Sequence, residues 1–297
     1  MANTLAAYIR EIWAPEVQEK AMKEMTALAM VKMVEMPDGD TFHRPYSSRV
    51  STGSYTRNET SSGVSATSMT ATDEYLTVDT IRYASFELER GDVKQAYYNL
   101  QNEYKEDAIY QLADVVDQTL FAEYSNATSD VDGGDISGGT DGQAILLTTT
   151  NFLDTLEAAK AKLAGQSVKN RGDWKLFVDE ANYYKVIEKL MATSGFVNQD
   201  KTLKNGFKGK ITDVEIYATQ NLSTSVVSNH NTKHWVLAAP GAVHFAMQEN
   251  SNMEVKELPQ NTDGTVRLSD MFIFWQMYGK KTFEDGARKM VDVQIRY

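Results

Sequence analysis

His230 and His234 stand four residues apart in a chain of 297 residues with only two other histidines, His43 and His244. On a helix that spacing binds zinc, and a glutamate between the pair serves as the base of a metalloprotease. Here Asn231, Thr232 and Lys233 fill the gap and the setting reads as a loop entering a strand, so no metal is expected. Asp130, Asp132, Asp135 and Asp141 crowd into one 12-residue window. A calcium loop needs a glycine where Asp135 stands and a closing bidentate glutamate that is missing, which leaves a solvated acidic loop. Lys210 sits in a Gly/Lys-rich run, but the glycines are wrongly spaced for a phosphate loop and Ile211 separates it from Thr212. Glu87 and Glu89 share one face of a strand, where a solvent-facing edge explains them. There is no Gly-x-Ser-x-Gly elbow, no dinucleotide-binding glycine fingerprint and no cysteine. The expectation is a protein that is not an enzyme, with no catalytic, cofactor or metal residues.

Composition narrows the classes further. A net charge of -11, from 41 acidic against 30 basic residues, opposes a nucleic-acid backbone as the main driving force of binding. Mean hydropathy is -0.43, and the longest apolar run, Met271 to Trp275, is far below the roughly 20 residues of a membrane helix. No basic residue precedes Arg10, so neither a secretory signal nor a membrane location is expected.

The elements that position these residues alternate between helices and extended arms. Leu5, Tyr8, Ile9, Ile12 and Trp13, then Val17, Ala21, Met25, Leu28 and Val31, recur at helical spacing and predict a helical arm over residues 1–40. From Ser47 to Thr72, 14 of 26 residues are Ser or Thr, too polar to order themselves by burial. Flanked by Thr41 to Tyr46 and Tyr75 to Tyr83, both strand-like, this stretch reads either as a surface loop or as a long β-hairpin arm that orders on a neighbour. At ~3.3 Å per residue the arm spans roughly 50 Å. Asp92 caps a helix expected to run to Ser125, with Val93, Tyr97, Leu100, Tyr104, Ala108, Leu112, Val115, Thr119 and Phe121 as its apolar stripe. Glu103, Lys105, Glu106, Asp107, Asp114 and Asp117 are expected on its solvated faces. After a Gly/Asp boundary at 126–142 come a helix from Asn151 to Ala164, a strand from Trp174 to Val178, a helix capped by Asp179, and strands at Ile211 to Ala218 and His234 to Ala238. Strands at Met253 to Leu258, Val266 to Tyr278 and Val291 to Tyr297 complete a mixed α+β chain.

The order of these parts resembles the major capsid proteins of tailed bacteriophages with the Hong Kong 97 fold. The resemblance is carried by Gly39 to Pro45 before the Ser/Thr-rich loop, the strands Tyr75 to Asp79 and Ala84 to Leu88, and Leu112 to Asp117 near the end of the long helix. Phe177 to Tyr183, Asn205 to Ile211 and Trp235 to Ala246 continue it, so that it covers nearly the whole chain, resting on order and spacing and not on a diagnostic motif.

That resemblance implies an α+β fold with an N-terminal arm (1–40), an extended loop (41–83), and a peripheral domain built around a spine helix (84–125). An α/β axial domain (126–252) and peripheral return strands (253–297) follow. It implies self-assembly into hexamers and pentamers forming an icosahedral head shell around double-stranded DNA, without sequence-specific binding. A virion capsid protein assembled in the host cytoplasm would have portal, scaffolding and decoration proteins as partners. No lysine lies between Lys32 and Lys94, so the loop cannot supply the lysine for the isopeptide crosslink that some members make. The loop also starts too early for a fused scaffolding domain before it. Arg44, Arg49, Arg57 and Glu59 are the expected intersubunit charge contacts. An encapsulin-type compartment shell and a phage tail or adhesin protein remain open as alternatives.

Overall fold

The computed structural model describes residues 25–36, 39–55, 57–58, 64, 66–95, 100–166, 168, 173–185, 207–211, 214–258 and 268–297. In chain order the strands begin with β1 (Val31–Met33), β2 (Thr41–His43), β3 (Tyr46–Ser47), β4 (Ala71–Thr72), β5 (Tyr75–Thr77) and β6 (Thr80–Glu89). Helices α1 (Arg90–Gln95) and α2 (Leu100–Phe121) lead to β7 (Ser129–Val131), β8 (Ile145–Leu146), α3 (Phe152–Gly165) and β9 (Trp174–Asp179). Then follow β10 (Phe207–Ile211), β11 (Val214–Thr219), β12 (Thr224–Val227), β13 (His230–Ala238), β14 (Val243–Leu258), β15 (Ser269–Lys281) and β16 (Met290–Arg296).

Two sheets carry the body. The smaller has the order β1-β14-β15-β6, and the larger β10-β11-β9-β13-β16-β7, with β12 on β13 and β8 on β16. In β6 and β15 side chains alternate, so one face presents Phe86, Leu88, Phe272 and Phe274 to Ala108 and Leu112 of α2. On the large sheet α3 buries Phe152, Leu156, Ala159 and Leu163 at helical spacing. The two short ladders β2-β5 and β3-β4 form the inner part of the extended arm.

The structure departs from the sequence expectations in three places. The expected long helix is helical at Arg90–Gln95 and Leu100–Phe121, and tightens to a 3-10 turn at Ala122–Asn126. Its apolar stripe continues from Leu112 through Val116 and Leu120, not Val115 and Thr119, because four-residue steps keep the C-terminal half in the main core with Phe121. Asp114 and Asp117, expected in solvent, are buried.

Leu28 and Val31 do not continue a helical stripe. Ala27–Met30 is a single 3-10 turn, after which Val31 pairs in parallel with Val243. The register is fixed because the amides of Thr26 and Ala27 both donate to Asp117 Oδ1, at 3.0 and 2.8 Å. The rest of the expected helical arm, residues 1–24, lies outside the described residues.

The segment 253–297, expected to return as one block, divides. β15 completes the small sheet, whereas β16 pairs antiparallel with β13 and parallel with β7 in the large one. A burial run of Met290, Val291, Asp292 and Val293 suits a strand covered on both faces, which only the large sheet offers.

Candidate functional site

His230 and His234 lie on one strand, β13, where four residues span roughly 13 Å, too far to share a metal ion. His230 is at the surface near Arg296. His234 is buried, with Nδ1 2.9 Å from both carboxylate oxygens of Asp292 and Nε2 2.7 Å from the Ser225 hydroxyl. Facing a carboxylate, Nδ1 donates to Asp292, and Nε2 shares the second hydrogen bond with the Ser225 hydroxyl.

Hydroxyl, imidazole and carboxylate in that order activate a nucleophile in acyl-transfer enzymes. Here the setting is a packed sheet: the Tyr124 ring lies flat against the imidazole, centroids 3.9 Å apart, and Asp292 is buried beneath. Burial holds the Asp292 carboxyl above its ordinary range despite the hydrogen bond from His234. The network therefore gives partners to polar groups that the sheet has enclosed. Sequence reasoning named His234 but missed Ser225 and Asp292, since only strand register brings them together.

Four of the other acidic candidates have partners within the chain. Asp132 caps a short turn by accepting from the amides of Gly134 (2.9 Å) and Gly142 (2.6 Å), and Asp135 receives Lys162. Gln294 donates to Asp130, and Ser269 to Glu87. Lys210 lies in β10. Among the described residues no group of His, Asp and Glu side chains is arranged to hold a metal ion.

The arm is organised differently at its two ends. Near the body, Arg44 makes a two-point ion pair with Asp285, Nη1 to Oδ1 at 2.6 Å and Nη2 to Oδ2 at 2.9 Å, and its guanidinium lies 5.2 Å from the Phe283 ring centroid. Asp285 is half-exposed; burial pushes its carboxyl up, but Arg44 and Lys289 together bring it below the usual value. Arg44 thus pairs within its own chain. Farther out, Arg49 and Arg57 are exposed, while Glu59 lies outside the described residues. Val50, Tyr55, Val64 and Met69 are also exposed, Val64 by 87%.

The small sheet leaves a matching deficit. Opposite the face covered by α2, Tyr83 is 70% exposed beside Trp275, and Ile81 lies beside Met277. Ile273 and Trp275, next along this face, are only half-buried. Apolar side chains are thus exposed both on a sheet face and along an arm of the same chain.

No family model and no curated protein sequence matches the chain. Solved structures do. A chain of Mycobacterium phage Che8 superposes with a TM-score of 0.69 at 17% identity, covering 96% of each chain. A chain from the capsid structure of the cyanophage P-SCSP1u gives 0.69 at 13% identity, over 98% of this chain and 94% of that one. The asymmetric unit of the bacteriophage PhiM1 mature capsid gives 0.65 at 15%, over 97% and 92%. At these identities the likeness is one of fold, and across nearly its whole length the chain has the fold of phage capsid structures.

Proposed function

We propose that this chain is the major capsid protein of a tailed phage, assembling with copies of itself into hexamers and pentamers that close as an icosahedral shell around double-stranded DNA. The observation that carries the reading is the end-to-end match to capsid chains in a molecule whose arm and small-sheet face both expose apolar surface. The arm of one copy is taken to lie on the small-sheet face of the next. Burial of apolar area at many such symmetric contacts then drives closure, each contact being modest.

In this reading residues 41–83 are the extended loop, and 84–125 with the β14–β15 return form the peripheral domain. The large sheet, including β16, is the axial domain. Arg49, Arg57 and Glu59 are the proposed charge contacts of the loop. The virion is the proposed location, and portal, scaffolding and decoration proteins the proposed partners. The net charge of -11 means that DNA enters against repulsion, which fits loading by a separate motor. The test is electron microscopy of the purified protein: closed icosahedral particles are expected, while rods, fibres or a persistent monomer at high concentration would remove the assignment.

A further inference from the structure

The base of the arm meets the body along β14 and β15 and at the turn between β15 and β16. Arg44, on one side of the arm, holds Asp285. Glu74, on the other side, accepts the backbone amide of Glu284 at 3.1 Å. Tyr46 takes a 3.4 Å contact from Arg288 Nη2 and lies under the same guanidinium, 6.0 Å from its carbon. The turn is itself braced by Arg288–Glu284 (2.6 Å) and Lys289–Asp285 (3.2 Å) ion pairs. Beneath, Leu76, Val78, Met36, Ala246 and Phe283 close a small core. The two sides of the arm are joined there by Arg44 N–H to Glu74 C=O at 2.6 Å.

Beyond this the bonding changes character. Ser48 and Thr70 share the last backbone hydrogen bond described between the two sides, at 2.9 Å, and farther out Ser51 and Thr67 join through their hydroxyls. The described residues from Arg49 to Thr70 are all exposed. A two-point charged pair plus an apolar core resists opening, whereas an exposed Ser/Thr ladder does not.

We propose that the arm is built in two parts, a base clamped to the β15–β16 turn by Arg44, Tyr46 and Glu74, and an outer segment that pivots at Ser48 and Thr70. Arg44 is then a positioning residue: it sets the direction in which the outer segment leaves the body. The consequence for the proposed shell is that one subunit can reach neighbours at different angles by bending outside residue 48 while its base stays fixed. This last step rests on the capsid reading; the clamp itself does not.

Hydrogen exchange read by mass spectrometry on the unassembled subunit tests the clamp separately from shell formation. Backbone amides at 41–47 and 71–78 are expected to exchange slowly, and those at 49–55 and 66–69 close to the rate of an unstructured chain. Arg44→Ala and Asp285→Ala are each expected to speed exchange at the base by about tenfold or more. The exchanged pair Arg44→Asp with Asp285→Arg is expected to recover much of the protection, and Arg49→Ala to change nothing there. Peptides from α3 and β13 report whether the body remains folded. If Arg44→Ala loosens those as well, Arg288→Ala, which removes the Tyr46 contact, carries the test with the same expectation at the base. Unchanged base exchange in these variants, or equal protection on both sides of Ser48 and Thr70 in the unaltered chain, would overturn the proposal. Absence of particles in the microscope alongside the expected exchange pattern would instead remove the capsid reading and leave the clamp standing.

Discussion

At the level of single residues, the polar groups of this chain are spent on holding elements together. His244 shows how. It is buried on β14, next to Lys32 of β1, with Arg44, Lys289 and Asp285 around it, and its ring meets Phe283 edge-on at 4.9 Å. Burial, then the Arg44 charge, lowers it from 6.5 to about 4. The unfolded chain therefore takes up this proton first as the solution is acidified. The contribution to stability is complete above about pH 6.5 and is lost as pH falls toward about 4. Measured by urea unfolding, the unaltered protein is expected to lose more stability between about pH 7 and about pH 4.5 than His244→Gln does. Equal losses would show that the imidazole does not titrate in this way. Ser225 permits a second check. A fluorophosphonate that labels activated serines is expected to leave the protein unmodified, because Tyr124 and the sheet cover the His234–Asp292 pair. Stoichiometric labelling at Ser225 would make the network catalytic. None of this was legible in the sequence: His234 stood out by its type, but Ser225, Asp292 and the Arg44–Asp285 pair depend on which strands lie side by side.

Periodic burial at the level of elements was legible. Strands were expected at Trp174 to Val178 and Val266 to Tyr278 and a helix at Asn151 to Ala164, where β9, β15 and α3 stand, because each packs one face or both against a large neighbour. The upper half of α2 followed the same logic through Ala108 and Leu112. Its lower half did not, since Asp114 and Asp117 look like solvated charges until Asn221 is seen donating to both, at 2.7 and 3.0 Å. Leu112 joins α2 to the small sheet, and Leu112→Ala is expected to cost about 3 kcal/mol in chemical unfolding. A loss under about 1 kcal/mol would mean that the helix packs loosely there. Gly279 has a different role. A Cβ at this position would collide with the backbone carbonyl of Thr77, so β5 crosses β15 at a distance only glycine allows. Gly279→Ala is expected to lift the arm base and to raise exchange at 75–78 much as loss of Arg44 does. An unchanged exchange pattern would show that the crossing can relax without the base moving.

At the scale of the whole molecule, the outer arm and the Tyr83–Trp275 face both expose apolar side chains among the described residues. A compact domain of 297 residues has core enough to fold without either, so removing one of them should separate folding from association. Replacing residues 49–69 with a short Gly/Ser turn leaves the clamp and both sheets intact. The shortened chain is expected to remain soluble, with thermal unfolding close to that of the full chain, and to form no closed particles. Tyr83→Glu attacks the other partner of the same contact by burying a charge against it, and should block assembly while leaving the arm in place. The two variants mixed together provide the sharper experiment. A copy lacking the outer arm still offers its sheet face, and a copy carrying Tyr83→Glu still offers its arm, so small mixed oligomers are expected where neither variant alone associates. Failure of the mixture to associate, with both variants folded, would show that the arm of one copy does not rest on the sheet face of the next, whatever holds the particles together.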